Sequence, residues 1–190
     1  MSREGTVHPL IFEAVRRGVR IDVGRGGHMS FAAARAVLDA GLQPFTVGGD
    51  VHGYTIARLE DGSWDQGYFD ERQTERRAAP RPIGGARVFS LTQVLNELLA
   101  LGIRLEDVVR MVTCNAAAML GMTGEIGTLA PGAVADVTVL ATDHGRFTLS
   151  DSLGEEITSS MRLRPEVTVR AGKVSRPDSP LLGRSLGAGC

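Results

Sequence analysis

The sequence predicts an α/β fold, and three observations carry that reading. Helical and strand patterns alternate through the first fifty-odd residues, joined by short glycine-bearing loops. Strand, helix, strand in that order is a βαβ unit, which implies parallel strands and a right-handed crossover. Helical periodicity returns at Ser90, and beyond Gly124 the apolar pattern switches to period two.

Each element has a local cause. Pro9 stands where an N1 proline starts a helix, which runs through Phe12 and Val15 to Arg16-Arg17 and stops at Gly18. Val19 to Val23 alternates apolar and polar residues as a short strand and ends in the turn Gly24-Arg25-Gly26-Gly27. Ser30 caps a helix with Phe31, Ala34, Val37 and Leu38 on its apolar face, closed by Gly41. A second strand, Pro44 to Val47, leads into Gly48-Gly49-Asp50. Residues 57–87 are polar and rich in Arg, Gly and Pro, with Trp64, Tyr68 and Phe69 among them, and read as a lid or insertion. Ser90 and Gln93 form a capping box ahead of the stripe Leu91, Val94, Leu95, Leu98 and Leu99. Further helices cover Leu105–Val112 and Ala116–Leu120, with Cys114 read as a small buried residue. Several short strands follow, the last ending in an Ala171-Gly172 turn. Residues 177–190 read as a disordered tail.

Composition narrows the function. The 190 residues hold 20 Arg and one Lys, Lys173, and the formal charge is −1. That balance argues against nucleic acid or an anionic membrane surface as the main partner. The two cysteines, Cys114 and Cys190, make no disulfide framework, and no leader or spanning segment is visible, so a cytoplasmic protein is expected. A complete eight-stranded β/α barrel needs roughly 250 residues.

Chemistry gathers beyond the carboxyl ends of parallel strands, where loops and helix N-termini converge. Asp50 lies there, and a carboxylate can ligate a divalent metal or take a proton from attacking water. In the plainer alternative Asp50 caps a turn, and His52 is a surface residue. The first strand delivers Asp22, Arg25 and His28 to the same side. Arg25 can fork onto a substrate carboxylate, His28 can ligate, bind substrate or cap, and Asp22 can be structural. His8 and His144 have no ligand-like neighbour in sequence.

The stretches Gly18 to Gly26, His28 to Phe31 and Gly49 to Tyr54 resemble the last two barrel strands of an amidohydrolase-superfamily metalloenzyme of the deacetylase and dihydroorotase-like group. Leu98–Gly102, Val112–Ala117, Gly127–Leu140 and Pro165–Lys173 are similar to the superfamily's closing pattern, where the chain leaves the barrel and completes a small β-sandwich. The resemblance implies the C-terminal part of a (β/α)8 metal-dependent hydrolase, about strands 7–8 and the helices that follow. Residues 1–122 would be barrel and 123–176 sandwich. Asp50 falls on the strand-eight aspartate that touches the metal and shuttles the proton of the attacking hydroxide, which makes it the implied catalytic and metal residue. Arg25, His28 and His52 are the substrate-binding candidates. The group's Gly-His-Gly after strand seven stands here as Gly24-Arg25-Gly26. The implied cofactor is a divalent metal, zinc as one or two ions, and the implied substrate a small-molecule amide or cyclic amide. The superfamily's His-x-His pair is absent, and Lys173 lies in the terminal hairpin rather than on a barrel strand. The chain is therefore expected to be a truncated or split product, completed by the missing barrel part or by a homo-oligomer. The alternative is a non-catalytic binding or assembly module descended from the same superfamily.

Overall fold

The computed structural model describes residues 5–25, 29–50, 90–151 and 153–176, with backbone alone at Ala57–Arg58 and Trp64–Asp65. Helix α1 is Pro9–Arg16, with Pro9 at its first position and the His8 Nδ1 accepting from the Leu10 N–H at 3.2 Å. Strand β1 (Asp22–Gly24) and strand β2 (Thr46–Gly48) pair in parallel, Asp22 opposite Thr46 and Gly24 opposite Gly48. Helix α2 (Phe31–Asp39) is their crossover, and Ser30 Oγ caps it by accepting from the Ala33 N–H at 3.1 Å. The predicted βαβ unit is therefore present. Strands β3 (Ala57–Arg58) and β4 (Trp64–Asp65) form a short antiparallel pair. The rest of the expected 57–87 insertion and the 177–190 tail lie outside the described residues.

Helix α3 (Leu91–Ala100) starts as Ser90 Oγ accepts from the Gln93 N–H, but only half of the expected capping box forms. The Gln93 amide donates to Glu97 Oε1 at 2.8 Å, drawn one turn along the helix by a buried carboxylate. Helix α4 (Leu105–Val112) follows, then helix α5 (Cys114–Met119), which begins two residues earlier than the spacing of its alanines predicts. Cys114 is exposed rather than buried, because it opens α5 on the solvent side.

The β unit departs most from expectation. In place of several short strands, β5 (Val137–Ser150) and β6 (Glu156–Arg170) form one long antiparallel hairpin, and β7 (Lys173–Ser175) extends it. Two register shifts, at Val139/Leu140 and at His144/Phe147, break the period-two pattern into pieces that look like separate strands. Pro165 sits at the first shift, the place in a strand where a residue without an N–H is tolerated. Ala171 and Gly172 turn the chain into β7 with φ of 47° and 77°, as a two-residue hairpin of the primed kind requires. Asp136 Oδ1 holds that turn by accepting from the Ala171 N–H at 2.7 Å.

One core joins these parts. Val47 of β2, Val94, Leu95 and Leu98 of α3, Val108 and Met111 of α4 and Leu163 of β6 are buried together with Ile103. A second cluster packs Phe31 and Met29 against Leu149. Helix α3 lies between the parallel pair and the hairpin, and Asn96 fastens the contact. Its Nδ2 donates to the Leu163 carbonyl at 3.1 Å and its Oδ1 accepts from the Leu163 N–H at 2.6 Å, as a neighbouring strand would. No helix among the described residues is long and apolar enough to cross a membrane.

Two outcomes are expected. Asn96→Ala leaves a buried N–H and carbonyl of Leu163 unsatisfied, at about 1–3 kcal/mol per group, and should lower the urea midpoint. On the outer face, hydrogen bonds from Arg164 and Arg162 hold the Asp143 carboxyl below its ordinary value. A depressed carboxylate stabilises the fold above the ordinary aspartate range and loses that contribution as pH falls through the depressed value. Asp143→Asn should therefore flatten the acid limb of the stability curve, read by thermal melts between pH 2 and 5, roughly the span over which a carboxylate titrates.

Candidate functional site

The two parallel strands end side by side, and the pairing continues one step further. The Arg25 N–H donates to the Gly48 carbonyl at 2.9 Å, so the residues after Gly24 and after Gly48 leave the sheet together. Asp50 follows with φ of 53°, a left-handed conformation that Asp tolerates better than most side chains. Gly49 before it has a steric cause. A Cβ there would lie 2.9 Å from the Leu91 nitrogen and 3.0 Å from the Ser90 carbonyl carbon, so only glycine lets this strand end rest on the start of α3.

Arg25 has a partner that sequence reading does not foresee. Expected to fork onto a substrate carboxylate, its guanidinium forks onto Glu97 of α3. Nε lies 3.1 and 3.0 Å from the two carboxylate oxygens and Nη2 lies 2.6 Å from Oε1. Nη2 also donates to the Ser150 carbonyl at 3.0 Å. Arg25 is 2% exposed and Glu97 0%. Burial pushes the Glu97 carboxyl above its ordinary value, while the Arg25 fork and the Gln93 amide pull it back and the charge of Asp151 adds to the rise. The buried Asp151 is itself satisfied by backbone amides: Oδ2 accepts from Phe31 at the start of α2, and Oδ1 from Leu153 and Glu155, each at 2.8 Å. Asp22 is structural, as one reading of it allowed, since its Oδ1 accepts from Thr46 Oγ1 at 2.6 Å across the strand pair.

The structure thus brings Arg25 and Asp50 to the same end of one strand pair. His28 and His52 lie outside the described residues. Glu97 and Asp151 are residues that sequence reading passes over, and Gln93, expected only as a capping residue, serves Glu97 instead. The sequence marks only that Glu97 is the single charge in Leu91–Ala100, and in the structure residues 94 to 98 of that helix are all buried. A helix enclosed on all sides must partner any charge it carries.

A model of the amidohydrolase family matches residues 17–174, most of the chain, spanning both the strand pair and the hairpin. The chain belongs to the amidohydrolase family. Two curated relatives are deacetylases. One, from Brucella anthropi, is 25% identical over 153 residues, covering 80% of this chain and 31% of the relative. The other, from Agrobacterium fabrum, is 27% identical over 139 residues, covering 73% and 27%. The chain therefore spans only about a quarter to a third of these relatives. Among solved structures, an adenine deaminase superposes with a TM-score of 0.66 at 21% identity, over 90% of this chain and 39% of that one. A dihydroorotase does so with 0.63 at 24%, over 89% and 38%. These likenesses speak to the fold alone, a mixed α/β arrangement shared with other amidohydrolases.

Members of the amidohydrolase family generally use divalent metals. Zinc needs about three or four ligands to be held. Among the described residues no group of three or more His, Cys, Asp or Glu side chains is placed to hold an ion. Glu97 is committed to Arg25, Asp22 to Thr46 and Asp151 to backbone amides, so Asp50 contributes one carboxylate and no set. The described residues of this amidohydrolase chain do not by themselves fit a metal centre.

The buried pair makes a clear expectation. Glu97→Leu or Arg25→Met alone strands a charge inside and should cost about 3–5 kcal/mol. The double substitution removes both charges and should recover most of that loss, as a double-mutant cycle in denaturant would read.

Proposed function

We propose that this chain contributes Asp50 to an amidohydrolase that hydrolyses an amide or cyclic-amide C–N bond, of the deacetylase or dihydroorotase-like kind. The observation that carries the reading is Asp50 itself, a carboxylate just past the carboxyl end of a parallel strand in a member of this family. In that role its carboxylate takes a proton from water as the oxygen adds to the carbonyl carbon, then returns it to the leaving nitrogen as the C–N bond breaks. A divalent metal, zinc on the resemblance, would be held mainly by residues beyond those described. A TIM barrel completed by further polypeptide, or by a second copy, belongs to the same reading. The short span of the relatives that the chain covers supports it. His28 and His52 remain the substrate-binding candidates, and a reducing, cytoplasmic setting goes with the unpaired Cys114.

A second reading is a non-catalytic binding or assembly module, favoured by one observation: the charged groups around Arg25 are satisfied within the protein. Metal content separates the two. On the first reading, genomic sequence beside the coding region should reveal an in-frame His-x-His and barrel lysine, and the completed protein should bind stoichiometric metal. A completed protein free of metal favours the module. In the completed enzyme, or at the aligned aspartate of a full-length relative, Asp50→Asn should lower kcat by about 10²–10⁴-fold with KM little changed. Unchanged turnover would remove Asp50 from the mechanism.

A further inference from the structure

Helix α3 touches both strand ends, and it does so by different means. At its first turn, the backbone of Ser90 and Leu91 receives Gly49 so closely that no side chain fits at that position. Two turns on, Glu97 holds Arg25 in a buried fork. The Arg25 N–H in turn bonds to the Gly48 carbonyl, two residues before Asp50. The path from Glu97 to Asp50 is therefore continuous: carboxylate, guanidinium, the Arg25 backbone, the last bond of the strand pair, and the glycine lying on α3. Asp50 sits at its end in a left-handed conformation.

We propose that Glu97 is a positioning residue for Asp50, acting through the Arg25 fork to hold the ends of both parallel strands in fixed relation to α3. The proposal rests on the reading of Asp50 as the proton-transfer group but concerns a different residue and a different link. Glu97 touches no reacting atom on this view. A carboxylate fork suits the task because the planar guanidinium is fixed in both distance and orientation, which a lysine ammonium at the same place would not be. The Ser150 carbonyl and Gln93 amide complete the fork's surroundings, so the end of the long hairpin is referenced to the same point. A shift of about 1 Å in a proton-transfer group can cost on the order of 10²-fold in rate, so a distant anchor has leverage.

Hydrogen exchange in the full chain tests the link without any substrate. Glu97→Gln keeps the shape and an acceptor but removes the charge, and Arg25→Lys keeps the charge but removes the fork. Each should speed exchange of the residue-25 amide at least tenfold more than it speeds amides in the middle of β6, whose exchange follows global stability. Either variant that folds suffices for the comparison. In the completed enzyme both should lower kcat at least tenfold with KM held within about twofold, the mark of a misplaced group rather than a lost binding contact. Uniform faster exchange, or none, overturns the proposal by reducing Glu97 to a general contributor to stability. The two ideas fail separately: unchanged turnover in Asp50→Asn removes the catalytic reading while the exchange pattern still stands.

Discussion

A guanidinium and a carboxylate moved together out of water lose more hydration than their attraction returns, unless their remaining donors and acceptors are also satisfied. Arg25 and Glu97 meet that condition, with the Ser150 carbonyl on one side and the Gln93 amide on the other. The pair is therefore less a source of net stability than a constraint. It tolerates one arrangement of the end of β1, the inner face of α3 and the end of β5, and makes departures from that arrangement costly. Everything near the candidate site depends on it.

Asp151 applies the same logic to the neighbouring helix. Its carboxylate spans the start of α2 and the turn that follows β5, serving three backbone amides, of which that of Phe31 would otherwise be buried without a partner. Asp151 through the Phe31 amide, and Arg25 through the Ser150 carbonyl, thus tie the hairpin to the side of the parallel pair where the strands end. In a parallel sheet that is the side where ligands are met. The β unit is accordingly part of the scaffold behind Asp50 and not a separate appendage.

What could be read from the sequence was local. Pro9 starts a helix through its fixed φ, Ser30 and Ser90 each start one by accepting from the amide three positions on, and Ala171-Gly172 turns because of its own backbone. The parallel pair was legible because its glycine-bounded strands flank a capped helix, and Asp50 was found as the polar residue after the second of them. The partners of Arg25 and Asn96 were not legible, because they lie 72 and 67 residues away along the chain. Nor was the length of the hairpin, since an extra residue in each strand resets the alternation that reveals a strand. Cys114 was misread because a small apolar residue at a helix start carries no sign of which side meets solvent.

The two bonds between Asn96 and Leu163 also solve an ambiguity that hydrophobicity leaves. Sliding β6 by one residue would turn its buried side chains outward, but sliding it by two keeps every inward residue inward. Polarity therefore does not distinguish registers two apart. The backbone does. Pro165 has no N–H to give, and both backbone groups of Met161 are engaged by the Ser159 hydroxyl, at 3.2 Å for the N–H and 2.6 Å for the carbonyl. Leu163 alone among these three same-edge neighbours offers a donor and an acceptor to a side-chain amide. Asn96 therefore fixes the alignment of β6 against α3, choosing among settings that polarity alone leaves equivalent.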